Sequence, residues 1–219
     1  MMMIALVGLA PSSGMKLAIL RSLGWRIGQG TSVGPGLYFR LMSVTLASDV
    51  RIGPFNVIRD MAELTVESRG RIGQWNWISS AAPLVEARGG GFLRIGADSA
   101  VTSRHYMDCS GGVTIGHHTT VAGVRSTFIT HGIVWKSAQQ TSGGISIGDY
   151  CIVSSNVAIA PGTSIDHRVV IGMGSVVSHV VAPQGSLYVG GRATAVKRDL
   201  EGAYFRRERG YIRDIEARD

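Results

Sequence analysis

The sequence predicts an all-β fold in which short strands wind into a parallel β-helix. Two observations lead to this prediction: apolar residues recur at every sixth position, and glycine is abundant (30 of 219 residues), which indicates a repeated turn. The share of charged residues, only 17%, indicates a chain that is folded nearly throughout. Neither the helical period of 3.6 nor the strand period of 2 produces a repeat of six, which is typical of stacked β-helices. Three such repeats make one triangular coil.

The repeat is strictest in the C-terminal half of the chain. Six consecutive positions with this spacing are all isoleucine or valine: Ile147, Val153, Ile159, Ile165, Ile171 and Val177. Because 45% of all residues are hydrophobic, random placement would fill six such positions about 1% of the time. The residues four places later are small or β-branched, as the inside of a tight turn requires: Cys151, Val157, Thr163, Val169, Ser175 and Val181.

Earlier segments carry the same pattern with shifts of phase between them. The repeat positions there are Ile27, Val33, Leu46, Ile52, Ile58, Val66, Ile72, Ile78, Leu84, Ile95, Val101, Ile115 and Val121. Each shift of phase predicts a loop or an irregular corner. The clearest lapse follows His131, so that we expect residues 132–144 to form a loop that leaves the coils.

The two ends of the chain are expected to cover the open strand edges of the β-helix. Residues 1–26 form an N-terminal cap in which Met15–Arg26 has apolar residues at helical spacing. The coils occupy residues 27–198, and the charged segment 199–219 predicts a C-terminal helix, although it contains two glycines. The whole chain, 1–219, is predicted to be a single domain.

Charge and composition are consistent with several classes of binding partner and do not select one of them. The net charge of +7 suits nucleic acid, an anionic membrane or a phosphate-bearing small molecule. The apolar segment Met1–Ala10 is too short to span a bilayer and lacks a preceding positive charge, so we read it as a short strand or packing segment and expect no membrane association. Cys109 and Cys151 alone form no disulfide framework, which favours a reducing, cytoplasmic compartment.

Three stretches together resemble a known family. They are Val113–His131 (VTIGHHTTVAGVRSTFITH), Ile145–Ile165 (ISIGDYCIVSSNVAIAPGTSI) and Val170–Arg198 (VIGMGSVVSHVVAPQGSLYVGGRATAVKR). Their order resembles the hexapeptide-repeat acetyltransferases of the maltose, galactoside and serine acetyltransferase superfamily, nearest to the sugar and polysaccharide O-acetyltransferases. The resemblance implies a left-handed β-helix, acetyl-CoA as co-substrate, a small-molecule or glycan acceptor and no nucleic acid. It also implies a cytoplasmic homotrimer whose active sites lie between adjacent subunits.

The family places its general base where His131 stands, directly before the loop. A histidine can remove the acceptor hydroxyl proton as the oxygen attacks the thioester. Asp108 lies about one coil earlier, where it could hold the imidazole ring or remain a solvated corner residue. His105 is a candidate for contact with the acceptor or, alternatively, an exposed polar corner residue. Trp135, on the loop, is a candidate for stacking on a sugar ring of the acceptor. Trp75 and Trp77 are interpreted as surface or interface packing.

The resemblance also suggests a path for acetyl-CoA along successive coils. The candidate residues for its pantetheine arm are Ser154, Ser155, Gly174, Ser178 and His179. Lys197 and Arg198 are candidates for the phosphates, which favour cationic partners.

Other functions remain open at this point. His117 and His118 raise a γ-carbonic-anhydrase-like zinc site, but the residues five places after them are Ala122 and Gly123 rather than histidines, so no metal is expected. An amine N-acetyltransferase and a non-catalytic β-helix serving as a scaffold or binding module are the remaining alternatives.

Overall fold

The structure, a computed structural model, describes residues 7–178 and 181–210. The predicted cap helix is present as α1, Gly14–Ser22. Ser13 begins this helix because its side-chain oxygen accepts a hydrogen bond from the amide of Lys16 at 3.2 Å.

Lys16 fastens the cap to the first coil. Its buried Nζ donates hydrogen bonds to the carbonyl oxygens of Gly8 at 2.9 Å, Ala10 at 2.8 Å and Gly34 at 2.9 Å. Residues 7–9 are helical rather than extended, and the six residues before them lie outside the described part of the chain.

Short strands make up most of the chain after α1. In chain order they are β1 (Arg26–Ile27), β2 (Ser32–Val33), β3 (Gly36–Leu46), β4 (Arg51–Ile52), β5 (Asn56–Val66), β6 (Arg71–Ile72), β7 (Trp77–Ser79), β8 (Phe92–Ile95), β9 (Ala100–Ser103), β10 (Tyr106–Asp108), β11 (Val113–Ile115), β12 (Thr120–Val124), β13 (Thr127–Phe128), β14 (His131–Val134), β15 (Gln139–Ser142), β16 (Ile145–Ile147), β17 (Ile152–Val153), β18 (Ala158–Ile159), β19 (Ser164–Ile165), β20 (Val170–Ile171), β21 (Val176–Val177), β22 (Val181–Ala182), β23 (Leu187–Val189) and β24 (Thr194–Lys197).

Parallel pairing arranges these strands on the three faces of a prism. Face 1 contains β2, β4, β6, β9, β12, β17, β20 and β23, and face 2 contains the first parts of β3 and β5 followed by β7, β10, β13, β18 and β21. Face 3 contains β1, the last parts of β3 and β5, and then β8, β11, β16, β19 and β22. The corners are named by the faces they join: corner 1–2, corner 2–3 and corner 3–1.

The predicted repeat explains the core. In the strict region, register partners such as Ser146 and Ser164 are 18 residues apart, which is three repeats per coil. All six isoleucine and valine residues of the strict repeat are at most 2% exposed and point into the prism. The prediction of a left-handed parallel β-helix is confirmed.

Two insertions interrupt the coils at corner 2–3. Leu84, assigned from the sequence to a repeat position in a coil, instead lies in helix α2, Ala82–Arg88, because Pro83 suits the first turn of a helix and Gly89 (φ +71) ends it. The predicted loop 132–144 is largely an antiparallel hairpin made of β14 and β15.

The C-terminal segment differs from the predicted helix. Between residues 199 and 210 the structure has only a 3-10 helix, Ala203–Arg206, and residues 211–219 lie outside the described part. The Tyr204 hydroxyl donates to the carbonyl oxygen of Cys151 at 2.8 Å, which docks this segment on the coils. None of the described helices is long and apolar enough to cross a membrane.

Candidate active site

His131 and Asp108 meet at corner 2–3. His131 Nδ1 lies 2.8 Å from Asp108 Oδ2. The Asp108 side chain is 5% exposed, whereas 39% of the His131 side chain is exposed. Because a carboxylate only accepts hydrogen bonds, Nδ1 carries the proton and donates it, which leaves Nε2 as an acceptor. The structure therefore brings together the two residues assigned to catalysis from the sequence.

Two further residues hold the Asp108 carboxylate. Oδ1 accepts from the hydroxyl of Ser110 at 2.5 Å and from its amide at 3.2 Å. Oδ2 accepts from the hydroxyl of Thr130 at 2.7 Å and from its amide at 2.8 Å. Burial raises the pKa of Asp108, but the hydrogen bonds from Ser110, His131 and Thr130 outweigh it and hold this pKa below its ordinary value. Asp108 is thus a fixed anion beside the imidazole.

The backbone around this pair is tightly packed. Gly143 donates its amide to the carbonyl oxygen of Thr130 at 2.8 Å, which closes the base of the hairpin. The Gly111 amide donates to the Thr130 hydroxyl at 2.8 Å. A Cβ on Gly111 would lie 2.9 Å from the Thr130 carbonyl oxygen and from the backbone of Gly143, so only glycine permits this approach.

Trp135, an acceptor candidate, lies at the tip of the hairpin. Its side chain is 82% exposed. It stands four residues from His131, which is about 13 Å along an extended strand. Within one chain, the structure does not bring Trp135 to His131 and Asp108.

The expectation that His105 contacts the acceptor is wrong for this chain. Its side chain is 1% exposed and belongs to a polar ladder inside corner 1–2. Nδ1 accepts from the amide of Ser126 at 3.1 Å, Nε2 lies 3.0 Å from the hydroxyl of Thr102, and its own amide donates to Asn76 Oδ1 at 2.9 Å. Burial lowers the pKa of His105 to about 4, so the ring is neutral.

Two histidines considered for zinc have other partners. His117 Nδ1 accepts from the amide of Ala97 at 3.1 Å, and the ring of His118 stacks on Tyr150 with centroids 4.7 Å apart. Across residues 7–178 and 181–210, no three His, Cys, Asp or Glu side chains are grouped so that they could hold a metal ion.

Known structures share this architecture. A maltose O-acetyltransferase from Clostridium difficile 630 matches with a TM-score of 0.52 and 15% sequence identity, covering 91% of this chain and 83% of the other. A hexapeptide-repeat acetyltransferase from Vibrio cholerae O1 biovar eltor, solved in complex with acetyl coenzyme A, matches with a TM-score of 0.50 and 17% identity, covering 90% and 84%. No protein-family model and no curated protein matches the sequence. The fold is that of the hexapeptide-repeat acetyltransferases.

The residues predicted to bind the pantetheine arm lie at two corners of the coils. Ser154 and Ser155 are at corner 1–2, where the Gly174 amide donates to the Ser155 carbonyl oxygen at 3.1 Å. Ser178 follows β21 at the opposite edge of face 2, on the His131 side. These candidates therefore frame one face of the prism, while His179 lies outside the described residues.

The residues predicted to bind the phosphates are not beside that face. Lys197 pairs with Leu187 at the start of β23, next to corner 3–1, and Arg198 follows it. Both side chains are exposed. The structure does not bring these two cations together with the serine and glycine candidates on face 2 of one chain.

Sequence reasoning missed Ser110 and Thr130. Both bind Asp108 directly. Two local signals are present: Ser110 stands two residues after an aspartate, where Asx turns form, and Thr130 immediately precedes the candidate base. Neither signal says that both side chains converge on one carboxylate.

Proposed function

We propose that this protein is an acetyl-CoA-dependent O-acetyltransferase that modifies a hydroxyl of a sugar or sugar-containing acceptor, as in polysaccharide biosynthesis. One observation carries the proposal: a half-exposed imidazole whose Nδ1 is held 2.8 Å from a buried, ionised carboxylate. The carboxylate fixes the tautomer, so that His131 Nε2 is available as a base. The acetyl-CoA complex of the similar V. cholerae acetyltransferase supports the choice of co-substrate.

The proposed reaction has two steps, and one proton is transferred in each of them. The acceptor oxygen attacks the thioester carbonyl carbon while His131 Nε2 takes the hydroxyl proton. The tetrahedral intermediate then breaks the carbon–sulfur bond, and the departing sulfur of CoA receives the proton from His131. Asp108 stabilises the imidazolium that exists between these steps and remains ionised throughout.

We assign the co-substrate to the predicted residues Ser154, Ser155, Gly174 and Ser178, with Lys197 and Arg198 at the phosphates. The separation of these two sets on one chain is compatible with a site shared between chains. A homotrimer with its sites between neighbouring subunits would supply the cations and face 2 from different chains.

Exposed apolar side chains on the hairpin support the assembly of subunits into a trimer. Ile133 is 74% exposed and Trp135 is 82% exposed, which leaves two large apolar groups on β14 and the following turn without cover from their own chain. In the proposed trimer these groups contact a neighbouring subunit, where Trp135 also reaches that subunit's acceptor. Cys109 and Cys151 are buried and unbonded, which supports a cytoplasmic location.

The decisive experiment compares His131→Ala with the wild type. We expect the variant to bind acetyl-CoA by calorimetry as the wild type does, and to lose at least a hundredfold in turnover with a panel of sugar acceptors. His167→Ala is the matched control, because His167 is also exposed beside a carboxylate, that of Asp149 at 3.3 Å. A wild-type protein that binds no acetyl-CoA would instead be a scaffold or binding module, and transfer to amines alone would indicate N-acetylation.

A further inference from the structure

Exposed aromatic side chains line the outside of face 2. Trp77 and Tyr106 are register partners on β7 and β10, and their side chains are 42% and 44% exposed. On the adjoining corner 1–2, Trp75 stacks on Phe55 with ring centroids 4.6 Å apart and is also exposed. The guanidinium of Arg59 lies over one face of Trp77, 5.6 Å from the ring centroid, and the remaining ring surfaces lie on the outside of the coils rather than in the core.

Two arginines continue this surface along corner 1–2. Arg104 and Arg125 occupy the corner in successive coils, since the Arg125 amide donates to the Arg104 carbonyl oxygen at 3.1 Å. Both side chains are exposed. Neither guanidinium forms an ion pair with any residue that the structure describes. Two adjacent unneutralised cations favour an anionic partner.

This surface leads to the candidate base. Tyr106 and Asp108 are two residues apart on β10 and therefore project to the same side of the strand. Arg104 is four residues from Asp108, so their Cα atoms are at most about 14 Å apart. A ligand of a few linked rings that contacts Arg104 and Tyr106 can thus extend to His131, which Asp108 holds.

We propose that the acceptor is an acidic glycan, held on the track formed by Trp75, Trp77, Tyr106, Arg104 and Arg125. Sugar rings stack on the aromatic faces, and the guanidinium groups bind carboxylates of the glycan. The track sets which residue of the glycan presents its hydroxyl to His131. This inference rests on the proposed function and names its substrate class.

The test measures binding and kinetics of the full chain with defined oligosaccharides. The acidic probes are oligogalacturonate, hyaluronan fragments and sialic acid oligomers, and each is compared with a neutral maltooligosaccharide of equal length. Tryptophan fluorescence measures the binding. Arg104→Asn and Arg125→Asn remove the charge while keeping a residue that tolerates the positive φ of 58° and 62° at these positions. Arg168→Asn is the matched control, with an exposed arginine at φ 58° on corner 3–1.

We expect at least one acidic oligosaccharide to bind about tenfold more tightly than its neutral counterpart, and more weakly as salt is added. Each of the two track variants should raise the acceptor Kd and KM about tenfold and leave the acetyl-CoA KM unchanged. Arg168→Asn should change none of these values.

The proposal fails if no acidic oligosaccharide binds better than a neutral one, if the control weakens binding equally, or if the track variants raise only the acetyl-CoA KM. The last result would assign the arginines to the phosphates of CoA. Binding of acetyl-CoA to the wild type with no preference for acidic glycans would overturn this inference alone, whereas absence of acetyl-CoA binding would overturn the proposed function.

Discussion

The hydroxyl of Thr130 donates to Oδ2 of Asp108 at 2.7 Å, the same oxygen that His131 approaches. Thr130 is therefore a positioning residue that acts through the carboxylate. In Thr130→Val this donor is lost and the pKa of Asp108 rises towards its ordinary value. We expect kcat to fall about tenfold with little change in the acetyl-CoA KM.

The pH profile separates this role from a general loss of structure. The acid decline of the free energy of unfolding should become shallower in Thr130→Val, because the folded pKa of Asp108 then lies closer to its unfolded value. Thr114→Val on the outside of face 3 removes an equal hydroxyl and should leave the profile in place. Equal losses of kcat in both variants, with an unchanged acid decline of the free energy of unfolding, would refute the role of Thr130.

Asp108 also links stability to pH. Its folded pKa lies below the value of the unfolded chain, so its contribution is complete above the unfolded pKa and is lost as pH falls through the folded one. In Asp108→Asn the acid decline of the free energy of unfolding should be shallower, and turnover should drop at least a hundredfold. Denaturant unfolding between pH 2 and pH 7 measures the decline, with the exposed Asp199→Asn as control; an unaltered slope in Asp108→Asn would contradict the assignment.

His105 should cause a second pH dependence of the free energy of unfolding, which arises from a buried neutral ring rather than from a buried anion. Burial lowers its pKa to about 4 from 6.5, so the folded state excludes the charged ring. Stability from this residue is complete above pH 6.5 and decreases by about 3 kcal/mol as pH falls to about 4. His105→Asn should abolish this decrease, because asparagine occupies the same ladder in the two preceding coils as Asn56 and Asn76. Equilibrium unfolding against pH tests this, and a decrease that persists in His105→Asn but vanishes in His167→Asn would exclude it.

Lys16 should be the most costly lysine to remove. Lys16→Met leaves three carbonyl oxygens at the cap without their donor, and we expect a loss of about 2 to 4 kcal/mol in the free energy of unfolding. Lys136→Met on the exposed hairpin turn should change it by less than about 0.5 kcal/mol. Denaturant titration compares the two, and equal effects would show that the cap does not depend on Lys16.

The fold was accessible from the sequence because the period of six is a local property. Each isoleucine or valine of the repeat has one place inside the coil, so Ile147, Val153 and their successors predicted both strand positions and burial. Leu84 shows where this reasoning fails. Its spacing suits the repeat, but Pro83 favours the first turn of a helix and Gly89 ends that helix. The spacing of apolar residues carries no information about either effect.

The site was less accessible because it depends on contacts between coils. The spacing of Asp108 and His131 suggested adjacency, and the structure brings them together. The spacing gave no measure of exposure for His105, whose neighbours Asn76 and Ser126 come from other coils and bury it. Lys197 likewise follows the repeat in sequence, yet the antiparallel return of β24 carries it to another corner.

The hairpin that begins at His131 leaves and rejoins the prism at corner 2–3, and the Gly143 amide donates to the Thr130 carbonyl oxygen at its base. The coils before and after it pair directly, β11 with β16 and β13 with β18, so the stack does not run through the hairpin. Changes confined to the turn, residues 135–138, should therefore alter only the exposed tip of the hairpin, while His131 keeps its pairing with Ser142 and its contact with Asp108.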